Sequence, residues 1–80
     1  MFFVYILKSI NYPKTYSGRT ENLEKRLKEH NAGYNLFSKK YKPWKIIYFE
    51  EVDSLDKSIE REKYFKSKVG RNWMKKNLFS

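Results

Sequence analysis

Eighty residues provide for one domain, spanning residues 1–80, and leave no room for a second. So short a chain buries only roughly 60–65% of its unfolded surface, so its thin core must lean on the aromatics that make up 19% of it. Lys and Arg outnumber Asp and Glu by 18 to 9, a net charge of +9 that attracts polyanions such as nucleic acid, acidic membranes or acidic proteins. No Cys is present, which excludes disulfides, thiolate metal sites and Cys nucleophiles.

Phe2-Phe3-Val4-Tyr5-Ile6-Leu7 is short, apolar and aromatic-rich, and predicts a strand buried on both faces. It lacks the basic flank and cleavage site of a signal peptide. No stretch approaches the ~20 apolar residues of a membrane span. The expectation is therefore a cytoplasmic protein with no membrane partner. Asn11–Lys14 reads as a turn and Thr15–Arg19 as a second short strand, which makes a hairpin. Thr20 or Asn22 is the candidate N-cap of a helix that runs to about Asn31 or Ala32, where Gly33 stops it. Residues 34–43, basic with scattered aromatics, read as a loop closed by Pro43, and Trp44–Val52 as a third strand. Asp53 or Ser54 caps a second helix reaching about Lys68; Gly70 breaks it, and Asn72–Leu78 forms a short last helix. The order β-β-α-β-α-α does not alternate as βαβ. It predicts an α+β fold with a mainly antiparallel three-stranded sheet flanked by helices.

Several polar residues fall where core is expected. His30, the only His, lies seven positions after Leu23 and so on the Leu23–Leu27 stripe of the first helix, with Arg26 at its edge. On the second helix Leu55, Ile59, Glu62 and Phe65 share a face, whereas Glu60, Arg61 and Lys63 read as solvated charges. A carboxylate on a partly buried face needs a cation, a metal or hydrogen-bond donors, so Glu62 is either an ion-pair partner or a metal ligand. Tyr5 and Tyr16 share a sheet face only if the hairpin register allows it. Gly18 within a strand signals a close approach by a backbone or a ligand. An Arg, a His, a Glu and two Tyr converging at one end of a sheet suit phosphoryl chemistry. The guanidinium stabilises charge on phosphate oxygens, and a hard carboxylate oxygen suits Mg²⁺ or Mn²⁺.

In this order the chain resembles the GIY-YIG nuclease superfamily, in particular small proteins related to the nuclease domain of the excinuclease C subunit. The resemblance rests on Phe3-Val4-Tyr5-Ile6-Leu7-Lys8-Ser9, Tyr16-Ser17-Gly18, the run Leu23–Asn31, Pro43-Trp44-Lys45 and the Arg61-Glu62 pair. It implies a three-stranded antiparallel sheet flanked by helices and metal-dependent endonuclease activity on nucleic acid, DNA before RNA, in a repair, recombination or mobile-element setting. By position, Tyr5 is implied as general base or water-positioning group, and Tyr16 lies near the scissile phosphate. Arg26 is the implied phosphate contact, His30 an aid to proton transfer, and Glu62 the carboxylate ligand of one Mg²⁺ or Mn²⁺. The first triplet lacks its Gly, and Ser17 stands where Ile is usual. Asn72 and Asn77 are both candidates for an Asn that many members carry after the second helix. Lys39, Lys40, Lys42, Lys75 and Lys76 are candidate backbone contacts, and Tyr34, Phe37 and Tyr41 candidate stacking platforms. The competing readings are a nucleic-acid-binding module without turnover and a subunit of a larger nuclease complex.

Overall fold

A computed structural model describes residues 1–79. The first strand, β1 (Phe2–Ser9), is the centre of a three-stranded antiparallel sheet. It is flanked by β2 (Thr15–Thr20) on one edge and β3 (Trp44–Val52) on the other. Val4, Tyr5, Ile6 and Leu7 are all buried, as a run of apolar residues covered on both faces should be. The helix α1 (Leu23–Ala32) follows the hairpin, capped by Asn22, whose side chain accepts from the Lys25 backbone N–H. Gly33 ends α1 with φ +86°, where its N–H reaches the Glu29 and His30 carbonyls.

The segment after Gly33 departs from the expected loop. Leu36–Lys40 forms one turn of helix, α2, whose cap Asn35 accepts from the N–H groups of Phe37 and Ser38. Further on, α3 spans Leu55–Lys66 with Ser54 as its cap, and α4 spans Lys68–Leu78. Gly70 does not break a helix. It lies in the first turn of α4, where a Cβ would overlap the Tyr64 carbonyl and sit 2.7 Å from the Phe65 Cα. The break falls at Ser67, which ends α3 and caps α4 through the Gly70 N–H.

Alternation along β1 serves two cores. Val4 and Ile6 pack with Phe65 and Met74 under α3 and α4. Tyr5 and Leu7 pack with Trp44, Tyr16, Leu23 and Leu27 under α1. A register shift between Ile6 and Leu7 leaves one extra residue, Ile47, on β3. The buried face of α3 is rotated from the expected one. Leu55 is 44% exposed, while Ser58 is fully buried, its hydroxyl donating to the Leu55 carbonyl at 2.6 Å. Arg61 is not a solvated charge either. It grips Glu50 through two bonds of 2.8 and 2.7 Å and stacks over Tyr64 and Phe65. Arg61 holds the Glu50 carboxyl below its usual range. Burial, with Glu50 beside it, pushes the Tyr48 phenol up to about 12.

Candidate active site

The hairpin register settles the tyrosines. Leu7 pairs with Tyr16 and Tyr5 with Gly18, so both tyrosines stand on the α1 face, their rings stacked with centroids 6.5 Å apart. Gly18 is the residue opposite Tyr5 for a steric reason: a Cβ there would lie 2.6 Å from the Tyr5 hydroxyl oxygen and 2.8 Å from its Cζ. Arg19, the next residue of β2, pairs with Val4 and so belongs to the opposite face, under α3.

Tyr5, Tyr16, Gly18, Arg19, Arg26 and Glu62 line one open, polar pocket of about 250 Å³. It straddles the edge strand β2. The α1 layer supplies the tyrosines and Arg26, and the α3 side supplies Arg19 and Glu62. An edge strand is the place where groups from both faces of a sheet can meet. Arg26 Nε donates to Tyr5 Oη at 3.4 Å, and its Nη1 pairs with Glu29 at 3.1 Å. Glu62 is held at both oxygens, by Arg19 Nε at 3.0 Å and by Lys66 Nζ at 2.6 Å.

Behind the pocket runs a buried chain of hydrogen bonds. Tyr5 Oη meets His30 Nε2 at 3.0 Å, His30 Nδ1 meets Ser38 Oγ at 2.8 Å, and Ser38 Oγ donates to the Asn35 carbonyl at 3.3 Å. The guanidinium at one end can only donate and the carbonyl at the other can only accept. The protons therefore point one way, from Arg26 to Tyr5 to His30 to Ser38, and His30 carries its proton on Nδ1. His30 is 1% exposed and Ser38 fully buried. Burial, reinforced by the Arg26 charge, lowers the His30 pKa to about 4. Burial also raises the Tyr5 phenol, although Arg26 pulls it the other way, while the Tyr5 hydrogen bond raises the Arg26 guanidinium. All three groups thus hold one protonation state near pH 7: neutral Tyr5, neutral His30, charged Arg26.

The sequence matches a known family. A family model described as the GIY-YIG catalytic domain covers residues 1–77. The chain belongs to the GIY-YIG catalytic domain family. Its similarity to curated relatives spans most of each chain. It is 45% identical to a UPF0213 protein of Syntrophus aciditrophicus over 80% of this chain and 75% of the relative. It is 41% identical to one from Clostridium perfringens over 90% and 76%, and 35% identical to one from Streptococcus pyogenes over 88% and 76%. Their names state no activity. No solved structure gives a significant match. The GIY-YIG family is one of nucleases, and the sheet and helix order of this chain is consistent with its fold.

Of the residues singled out in this GIY-YIG chain, Tyr5, Tyr16, Arg26 and Glu62 meet at the pocket, and His30 stands behind Tyr5 rather than in it. Neither Asn72 nor Asn77 lines it; Asn77 donates to the Trp73 carbonyl. Tyr41 is half-buried, its ring packed against Tyr12 and Phe37, whereas Tyr34 is 76% exposed. Lys39 and Lys40 flank Leu36 and Phe37 on α2, Lys42 is exposed just after it, and Lys75 and Lys76 are exposed on α4. Sequence reading passed over Ser38, Asn35, Arg19 and Lys66. Asn35 carried a legible signal, an Asn immediately before a short amphipathic run. Ser38 carried none, because a lone Ser in a basic stretch reads as surface.

No group of three or more His, Asp or Glu able to cage a metal occurs among the described residues. Glu62 still suits a hard divalent cation. Each carboxylate oxygen keeps a lone pair beyond its ion pair, and Mg²⁺ is commonly held through one or two carboxylates with waters and substrate phosphate completing its shell. No helix among the described residues is long and apolar enough to cross a membrane.

Proposed function

We propose that this chain is an endonuclease that hydrolyses phosphodiester bonds of nucleic acid, DNA in the first instance, with one Mg²⁺ or Mn²⁺ bound through Glu62. The observation that carries the proposal is the pocket at β2, where two guanidiniums, two phenols and a carboxylate from both faces of the sheet line about 250 Å³ of open space.

In the reaction, water adds to phosphorus and one ester P–O bond breaks, leaving a terminal phosphate and a free hydroxyl. Arg26 binds the non-bridging oxygens, where its charge offsets that developing at phosphorus. Tyr16, half-buried at the mouth, hydrogen-bonds the phosphate, with Asn35 Nδ2 reaching its hydroxyl at 3.4 Å. Tyr5 orients the attacking water. Its role as a free-standing base is disfavoured: a proton passed through it would come to rest on His30, and at pH 7 that costs about 4 kcal/mol for a group of pKa about 4. His30 therefore serves as the fixed acceptor that aims the Tyr5 hydroxyl. A divalent cation held by Glu62 would supply Lewis-acid charge and acidify water. Arg19 and Lys66 hold the carboxylate at the pocket wall. Lys39, Lys40, Lys42, Lys75 and Lys76 provide salt-sensitive backbone contacts, and exposed Tyr34 and Phe37 provide stacking surfaces.

One observation favours a binding module without turnover: both Glu62 oxygens are already paired with cations. The test is incubation of the protein with supercoiled plasmid and Mg²⁺, Mn²⁺ or EDTA, beside Glu62→Ala and Arg26→Ala. Metal-dependent nicking lost in both variants is the expected result. Tight binding at low salt with no cutting under either metal would replace the nuclease by the binding module or by a subunit awaiting its complex.

A further inference from the structure

The catalytic pocket is one of four depressions that follow β2 from end to end. The first, beside Lys14 and Thr15, is walled by Arg71, Met74 and Lys75 of α4. The second shares Thr15, Arg71 and Met74 with it and adds Tyr16, Phe37 and Lys66. The third is the catalytic pocket, which shares Tyr16 with the second. The fourth shares Arg19 and Arg26 with the third and continues past Lys25 to the start of α1. Together they make one groove along a six-residue strand, about 20 Å at roughly 3.3 Å per residue.

Charge along this groove is uneven. The arm between the catalytic pocket and α4 is lined by Lys14, Arg71 and Lys75, and by Lys66, whose charge Glu62 already pairs; no carboxylate is among its lining residues. The opposite arm carries Arg19, Lys25 and Arg26 but also the carboxylates Glu21 and Glu29, the second paired with Arg26. Arg71 is exposed, and its guanidinium has no ion-pair or hydrogen-bond partner among the described residues. Phe37, 45% exposed, stands in the acid-free arm with its ring 5.9 Å from that of Tyr16. Arg71 is carried one turn past Ser67, the corner that also closes the Glu62 helix, so its place relative to the pocket is set by the backbone.

We propose that this groove is the track of the cut strand, with the backbone on one side of the scissile phosphate lying in the acid-free arm against Arg71 and Lys75. The proposal rests on the nuclease reading and adds to it a direction of approach and a residue, Arg71, that the pocket itself does not contain. Cations without carboxylates suit a phosphodiester chain, and the exposed aromatic between them gives a base a face to stack on.

The test measures binding of a labelled hairpin DNA with an unpaired tail, in EDTA, across a range of NaCl concentrations. The parent protein is compared with Arg71→Gln/Lys75→Gln, with the charge-matched pair Lys45→Gln/Lys63→Gln away from the groove, and with Arg71→Lys. Removing two phosphate contacts lowers the slope of log K against log salt by roughly 1.4–1.8. That loss is expected for the groove pair only, with Arg71→Lys keeping the parent slope and cleavage at low substrate falling in parallel with affinity. An equal loss in both pairs would reduce the groove to bulk charge and overturn the proposal. So would an unchanged slope in the groove pair while the parent binds and cuts. Displacement of the DNA by polyglutamate at equal charge concentration would assign the groove to an acidic protein instead. A parent that neither binds nor cuts under any metal refutes the nuclease reading itself, a result distinct from these.

Discussion

Gly18→Ala tests the geometry of the pocket with one added methyl group. The backbone there tolerates a side chain, since among the described residues Gly33 alone has positive φ, so the effect is one of space. The new Cβ would lie 2.6 Å from Tyr5 Oη and 2.8 Å from Cζ, against about 3.3–3.6 Å for an ordinary C···O contact. Tyr5 or β2 must therefore move by roughly 0.7–1 Å. Tyr5 is tied by its bonds to His30 at 3.0 Å and Arg26 at 3.4 Å, so the shift strains both. Overpacking costs about 1–3 kcal/mol, and the stiffer unfolded chain returns about 0.4–1 kcal/mol. The expected net is a loss of about 1–2 kcal/mol, or roughly 4–16 °C in Tm for a chain of this size. Activity should fall further, on the order of 100-fold, because misplacing a positioning group by about 1 Å has that effect. Thermal unfolding and plasmid nicking read the two. In a Tyr5→Phe background the closest clash is gone, and the stability penalty of Gly18→Ala should shrink. A Gly18→Ala protein as stable as the parent and cutting within about twofold of it would refute the reasoning.

Ser38→Ala leaves His30 Nδ1 without its partner in a fully buried site; a cost of about 1–3 kcal/mol in urea unfolding and slower cleavage are expected, with Ser38→Thr restoring both. His30 has its pKa lowered on folding from 6.5 to about 4, so the unfolded chain binds the proton more readily. Its stabilising contribution is complete above about pH 6.5 and is lost as pH falls toward 4. This amounts to about 3 kcal/mol, which urea titrations of the parent and His30→Gln from pH 7.5 to about 4 would reveal as a difference in slope. For the same reason cleavage should show no inflection near pH 6.5.

Much of this fold was legible because its signals are local. The aromatic and β-branched runs, Asn22, Ser54 and Gly33 mark the elements within a residue or two. The polar stripe on α1 marked His30 and Arg26, since a 3.6-residue period needs no tertiary knowledge. What could not be read was mostly relational. Whether Tyr5 and Tyr16 share a face depends on a turn geometry that fixes Leu7 opposite Tyr16. Ser38 matters only because α2 folds back over α1. Gly70 carries two meanings in sequence, helix breaker and close packer, and the crossing of α4 over Tyr64 and Phe65 selects the second. Arg61 is drawn out of the solvent because β3 offers Glu50 as a part-buried partner.

The two-faced construction around β2 has an implication for how such a protein could change. Tyr5, Arg26, His30 and Ser38 form one self-contained assembly on the α1 side, and Arg19, Glu62 and Lys66 form another on the α3 side. They meet across the edge strand β2, and no direct hydrogen bond joins them among the described residues. Substitutions confined to α3 could silence the carboxylate half while the half proposed to bind phosphate keeps its geometry intact. The architecture is therefore modular at the scale of single side chains: one lineage could keep grip and lose the cut without first losing its fold.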